Sequence, residues 1–218
     1  MIVRLAGVLD AATVDSLRRL AADADFEDGL ATAGRAARQV KRNRQAAGPA
    51  ADVVSRTVED ALRRHPVFAA AARPKRFCRV LLSRYETGQA YGLHSDDALI
   101  AGARTDLSFT VFLSAPDSYD GGELVLHGAD GETAIKLDAG ELVLYPSGAL
   151  HEVREVTRGE RLACVGWVRS LVRGQAEREI LFDLDMASRE LYARDGKSAV
   201  YDQLAKARGN LLRLWVED

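Results

Sequence analysis

Arg76-Phe77-Cys78-Arg79-Val80-Leu81-Leu82-Ser83-Arg84-Tyr85-Glu86 is the stretch at which the chain changes character. Before it, apolar residues recur at helical spacing. From it onward they come in short β-prone runs separated by Gly, Pro and Asp. The later runs are Leu107 to Ser114, Glu123 to His127, Thr133 to Leu137, Glu141 to Tyr145, His151 to Val156 and Arg161 to Arg169. Strands so short and so regularly punctuated predict an antiparallel sandwich or barrel rather than β-α-β units. Asp120-Gly121-Gly122 and Ala139-Gly140 read as hairpin punctuation between them.

Working outward, Asp10 can cap a helix whose Val14, Leu17 and Ala21 share one stripe and which ends near Asp25. A second helix is predicted from Pro49, with Val54, Val58 and Ala61 on one face and Pro66 limiting its extension. Between them, Gly34 to Gly48 carries Arg35, Arg38, Lys41, Arg42 and Arg44, a charge run whose default reading is a solvated face. After Gly174 helical spacing returns, with Ile180, Leu181 and Leu184 in one segment and Leu204, Leu211, Leu212, Leu214 and Trp215 in another. These stripes are expected to pack on the sheet, and they could also serve a homodimer.

The 218 residues, 47% of them hydrophobic, suffice for one substantial core, so a single domain over residues 1–218 is expected. Its parts would be a helical stretch 1–75 with a lid at 28–48, a β core 76–170 and C-terminal helices 171–218. With 30 basic against 32 acidic residues, the chain lacks the positive field by which nucleic-acid binders neutralise phosphates. Neither a secretory leader nor a membrane-length apolar run is visible, which predicts a soluble cytoplasmic protein. Cys78 and Cys164 lie inside alternating runs and read as small buried hydrophobes rather than a disulfide.

Two of the four histidines fall where a metal site would need them. On an extended backbone His94 and Asp96, separated by one residue, point to the same side and can share one ion. Alone, His-x-Asp reads as a surface turn. His151 changes that reading, because it follows the turn-like Tyr145-Pro146-Ser147-Gly148 and opens a strand. Two histidines and a carboxylate on a β scaffold make a facial triad that leaves iron positions open for a 2-oxo acid and dioxygen. On the next strand Arg161, Ala163, Val165 and Trp167 share a face, and the Arg161 guanidinium suits the distal carboxylate of 2-oxoglutarate. His65, beside Pro66, and His127, at a strand end, read as ordinary polar residues. Lys41, Asn43 and Gln45 alternate with Arg42 and Arg44, so an extended backbone would give the first three a common face, a polar lid over the pocket. Thr110 and Trp167 are further pocket candidates. A small polar substrate bearing a carboxylate or carbonyl would fit such a lid.

The chain resembles the PKHD-type hydroxylases, a bacterial branch of the prolyl-hydroxylase-like iron/2-oxoglutarate dioxygenases, over essentially its whole length. The resemblance rests on Arg84-Tyr85-Glu86-x-Gly88-x-x-Tyr91-Gly92-x-His94-x-Asp96, Asp106-Leu107-Ser108-Phe109-Thr110-Val111-Phe112-Leu113-Ser114 and Tyr119-Asp120-Gly121-Gly122-Glu123-Leu124. It continues through Leu142-Val143-Leu144-Tyr145-Pro146-Ser147, His151-x-Val153, Thr157-Arg158-Gly159-x-Arg161 and Leu181-Phe182-Asp183-Leu184-Asp185. Even the helical start is similar, in Asp28-Gly29-x-Ala31-Thr32-Ala33-Gly34 and Val40-Lys41-x-Asn43-x-Gln45.

The resemblance implies an α+β, mainly β fold: a double-stranded β-helix, or jelly roll, with N- and C-terminal flanking helices. It implies Fe(II) held by His94, Asp96 and His151, 2-oxoglutarate held by Arg161 with help from Tyr85, and dioxygen as oxidant. Hydroxylation, or another oxidation such as desaturation, is favoured because Asp96 fills the position that related halogenases leave for chloride. Asp97 stands where the family usually has Asn, and is expected to face away from Asp96. Two alternatives stay open at this point: a non-catalytic metal-binding jelly roll acting as a sensor or binding module, and a zinc hydrolase using the same three ligands.

Overall fold

The computed structural model describes residues 1–32 and 37–217. Ala33, Gly34 and Arg35, which the sequence reading drew into the family motif and the cationic run, lie outside the described residues. In the N-terminal part β1 (Val3–Leu5) precedes α1 (Ala11–Ala22), then β2 (Asp25–Asp28), β3 (Lys41–Arg42), β4 (Arg44–Ala47), α2 (Gly48–Arg64) and α3 (Pro66–Ala72). The central part holds β5 (Pro74–Glu86), β6 (Ala90–His94), β7 (Leu99–Ile100), β8 (Ala103–Arg104), β9 (Leu107–Phe112), β10 (Asp120–Gly121) and β11 (Leu124–Gly128). It continues with β12 (Gly131–Ile135), β13 (Leu142–Pro146), β14 (Leu150–Val153), β15 (Val156–Arg158) and β16 (Glu160–Ser170), and the chain closes with α4 (Gln175–Asp195) and α5 (Ala199–Trp215).

The strands form a seven-stranded sheet, ordered β1-β13-β9-β16-β5-β4-β2, and a five-stranded sheet, ordered β12-β11-β14-β6-β3. All pairings within them are antiparallel, and the two sheets make the jelly roll that the motifs imply. Each side of the large sheet meets a different partner. Leu82, Phe109, Val111 and Cys164 pack against Val14 and Leu17 of α1, Val54, Val58 and Leu62 of α2, and Phe68 of α3. Full burial of Val54, Val58 and Leu62 contributes roughly 1.5–3 kcal/mol each to holding α2 on the sheet. The opposite side, with Tyr85, Phe112, Val143 and Tyr145, packs against Leu124, Leu126 and Val153 of the small sheet.

Helix α1 starts where Asp10 predicts, its carboxylate accepting from the Thr13 N–H at 2.8 Å. Pro66 ends α2 and begins α3, a short helix that sequence periodicity missed; His65 Nδ1 accepts from the Phe68 N–H as its cap. Three expectations need correction. The segment after residue 40 is not a solvated face: β3 and β4 alternate, with Lys41, Asn43 and Gln45 buried and Arg42 and Arg44 exposed on the other side. Asp120–Gly121 is not a hairpin turn but a short strand paired with β15, which positive φ at Gly121 allows. The C-terminal helices do not both pack on the sheet. Leu181 of α4 is fully buried beside α3, whereas α5 packs on α4 and buries no residue completely. Among the described residues no helix is long and apolar enough to cross a membrane. Cys78 and Cys164 are both buried free thiols, as the alternating runs predict.

Candidate metal and cosubstrate site

Register brings the two histidines together. On the paired strands β14 and β6, His151 lies directly opposite His94, so both rings project from the same face, with centroids 4.2 Å apart. The expectation of an extended His94-x-Asp96 needs amendment, because β6 ends at His94 and Asp96 follows in irregular backbone. Two contacts, one from the turn after β13 and one from β9, set its position. The Asp96 N–H donates to the Ser147 carbonyl at 3.2 Å, and its Oδ2 accepts from Ser108 Oγ at 2.6 Å. Ser147 Oγ stands 2.8 Å from Ser108 Oγ; since the one Ser108 proton goes to the carboxylate, Ser147 donates to Ser108.

The result is a cluster in which one donor atom from each of His94, Asp96 and His151 lies within 4.8 Å of the others. Asp96 Oδ1 is 4.0 Å from His94 Nε2, and Oδ2 is 3.8 Å from His151 Nε2. Each imidazole directs Nδ1 at a backbone carbonyl two residues back, Gly92 at 2.8 Å and Ala149 at 2.9 Å. Carbonyls only accept, so Nδ1 carries the proton and Nε2 presents its lone pair to the cluster centre. Burial, then the neighbouring His151, pushes the His94 imidazole down to about 4, which keeps it neutral near neutral pH. The Tyr91 ring stacks on His94 at 3.6 Å and fixes its plane.

Arg161 projects from β16 into the same cavity, whose volume is about 230 Å³. Its side chain is 1% exposed, and none of its three guanidinium nitrogens has a hydrogen-bond partner among the described residues. The group sits 5.3 Å from the ring centres of both Tyr85 and Phe112. Cation–π contact recovers only part of the cost of burying a charge, and a carboxylate would supply the remainder through paired N–H bonds. Tyr85, opposite Arg161 in the β16–β5 register, is buried; burial raises its hydroxyl pKa, so it stays a proton donor. Two imidazoles, a carboxylate and an orphaned buried guanidinium are the donor set that Fe(II) and 2-oxoglutarate require.

The structure also brings Lys41, Asn43, Gln45, Thr110 and Trp167 to the wall of this cavity. The first three do not sit on a separate lid. They span the mouth from β3 at the edge of the small sheet to β4 inside the large one, and Asn43 Nδ2 donates to Ser83 Oγ at 2.7 Å. Burial lowers the Lys41 ammonium to about 8, against the opposing pull of Asp96 and Asp28. Asp97 does not face away; it is exposed and lines the rim of the same cavity. His65 and His127 lie elsewhere, the latter 3.7 Å from carboxylate oxygens of both Glu132 and Glu152. Sequence reasoning missed Ser108 as the support of Asp96, although Ser108 stands in the family-like run Asp106 to Ser114, and it missed Tyr91 and Arg79 on the cavity wall.

The model of the 2OG-Fe(II) oxygenase superfamily matches residues 80–169, and that of the PKHD-type hydroxylase C-terminal domain matches residues 175–217. A PKHD-type hydroxylase of Maricaulis maris is 56% identical over 219 residues, covering 100% of both chains. The chain belongs to the PKHD-type hydroxylases. Among solved structures, a Pseudomonas putida prolyl-4-hydroxylase shares the fold with a TM-score of 0.56 at 24% identity, over 78% of this hydroxylase and 92% of that chain. HygX from Streptomyces hygroscopicus, solved with nickel and 2-oxoglutarate bound, gives 0.58 at 16% identity over 78% and 84%. The hydroxylase is therefore an enzyme of the Fe(II)/2-oxoglutarate class, which removes the non-catalytic sensor and the zinc hydrolase.

Proposed function

We propose that His94, Asp96 and His151 hold Fe(II), that Arg161 and Tyr85 hold the distal carboxylate of 2-oxoglutarate, and that the enzyme hydroxylates a small polar metabolite. The observation that carries this reading is the buried, unpartnered Arg161 guanidinium in the cavity that the His-Asp-His cluster faces. When bound, the iron supplies the centre at which dioxygen and 2-oxoglutarate yield succinate and CO2, the second oxygen atom entering a substrate C–H bond as hydroxyl.

The remaining work belongs to this chain's side chains. Nδ1–H bonds to Gly92 and Ala149 turn Nε2 of both imidazoles toward the cluster, and Ser108 keeps the Asp96 carboxylate turned toward them. The Tyr85 hydroxyl and the Arg161 fork both donate, which suits an anion and rejects a cation. Lys41, Asn43 and Gln45 at the mouth offer an ammonium and two amides to the substrate, and Thr110 and Trp167 line the wall beside the cluster. Purified Fe(II) protein supplied with 2-oxoglutarate is expected to release succinate, and His151→Ala to abolish that release. Full decarboxylation by His151→Ala would overturn the ligand assignment. Substituting Lys41 and Asn43 by Ala is expected to cut coupled turnover while sparing substrate-free decarboxylation; unchanged coupled turnover would remove the mouth from substrate recognition.

A further inference from the structure

The cavity has a second end. Along the paired strands β16 and β5 the directly opposed residues are Arg161 with Tyr85, Ala163 with Ser83, Val165 with Leu81 and Trp167 with Arg79. Opposed residues of an antiparallel pair share a face, and every second pair returns to the same face. Trp167 and Arg79 thus look into the cavity on the side that Arg161 and Tyr85 do, and both line it. Six residues of strand, about 20 Å of backbone, separate the two pairs. The outer pair is therefore left for a molecule other than the one Arg161 holds.

Trp167 is also next to the metal cluster, because its partner on β9 is Ser108, the residue bonded to Asp96. Its indole Nε1–H is buried, yet it has no hydrogen-bond partner among the described residues. A buried N–H left without an acceptor has lost its hydration with nothing in return, so the position calls for an acceptor from a ligand. Arg79 extends from the exposed edge of the same pair. Lys41 answers to the carboxylates of Asp28 and Asp96 and is repelled by Arg79. Against these cations the outer wall sets Asp97 at the rim, while Asp96 is committed to the cluster. Arg79 and Trp167 present donors only, so what they bind is an acceptor, and a guanidinium beside an N–H matches the two oxygens of a carboxylate. The neighbouring wall from β7, Leu99 and Ile100, is apolar.

We propose that Arg79 and Trp167 form a carboxylate subsite for the substrate, at the opposite end of the cavity from Arg161. The class of substrate is then a monocarboxylate with an apolar portion, anchored by its acid group so that a C–H bond farther along faces the cluster. The subsite rests on the hydroxylase reading for its purpose but not for its binding chemistry.

The test uses full-length Zn(II)-substituted protein saturated with 2-oxoglutarate, so that Arg161 is occupied. Acetate, butanoate and hexanoate are titrated against the matching primary amides while the indole N–H resonances are followed by NMR, Trp167→Phe identifying which of the two belongs to Trp167. The acids, and not the amides, are expected to move the Trp167 signal downfield to saturation. Arg79→Gln is expected to weaken that binding by about tenfold or more, with partial recovery in Arg79→Lys. An amide that acts as strongly as its acid, no shift with any acid, or unchanged affinity in Arg79→Gln would each overturn the subsite. Succinate release by the Fe(II) protein, measured in parallel, separates the two readings. Release without any indole shift sinks the subsite alone, whereas acid binding without release sinks the assignment of the cluster and Arg161 to iron and 2-oxoglutarate and leaves the subsite standing.

Discussion

Ser108 shows how much of the proposed metal site depends on a neutral side chain. Its hydroxyl donates to Asp96 Oδ2 at 2.6 Å and receives the Ser147 hydroxyl, so it fixes a carboxylate that the irregular backbone after β6 would leave free to turn. Ser108→Ala is expected to lower Fe(II) affinity on the order of tenfold without loss of fold, measured by anaerobic titration. An affinity equal to that of the native protein would mean that the Ser147 carbonyl alone positions Asp96. At Arg161 the expectation differs in kind. Removal of the guanidinium should weaken 2-oxoglutarate by about tenfold or more and leave metal affinity unchanged, because the proposed ligands come from other segments than β16. Arg161→Lys should recover part of this, since one ammonium cannot reproduce the planar fork. Equal 2-oxoglutarate affinity in all three proteins would move the anchor elsewhere.

At the scale of elements, β9 and β16 are constrained on both faces. All six residues of β9 are buried, with Phe109 against the helices and Ser108 and Thr110 toward the cavity. Gly166 of β16 marks how tightly they approach: an added Cβ would stand 2.4 Å from Phe109 Cζ and 2.9 Å from the Arg79 carbonyl oxygen. Gly166→Ala is expected to destabilise the protein by roughly 1–3 kcal/mol in urea unfolding, since neither a core ring nor strand backbone can retreat far. Unfolding at the native midpoint would show that the β5–β16–β9 packing is looser than these distances imply. For α1 the relevant contact is the Asp10 cap, and Asp10→Ala should cost about 1 kcal/mol in the same measurement.

Across the whole molecule, the C-terminal helices are fastened by charge as well as by apolar packing. Asp185 of α4, its side chain 9% exposed, pairs with Arg73 at the end of α3 and with Arg208 of α5. The tail returns to the β core, where Glu217 N–H donates to the Leu171 carbonyl at 2.8 Å and its carboxylate meets Arg104 at 3.0 Å. Asp185→Ala would leave Arg73 nearly buried without its anion, a loss of about 3 kcal/mol. That is the low end for a buried pair, because Arg208 is 33% exposed. Limited proteolysis should then cut the α4–α5 hairpin faster than in the native protein, with the β core surviving. An unchanged cleavage rate would show that Leu181 and its neighbours hold the hairpin unaided.

Much of this was legible in the residues alone. Asp10 marked the first helix and the short runs after Arg76 marked the strands, because capping and alternation are local and need no distant partner. The motif around His94, Asp96, His151 and Arg161 named a chemistry before any geometry, since few other donor sets combine two imidazoles, a carboxylate and a guanidinium in that order. Alternation also put Lys41, Asn43 and Gln45 on one side, but it could not say that this side is a buried cavity wall. What faces them is decided by the pairing of β3 with β6 and of β4 with β5, partners more than 30 residues away in sequence. The same holds for Asp96, oriented by Ser108 on β9 and by Ser147 in the turn after β13, and for Trp167 and Arg79, brought together only by the register of β16 on β5. A strand's own sequence fixes which residues share a face; which two faces meet is fixed by long-range pairing and by the burial that rewards it.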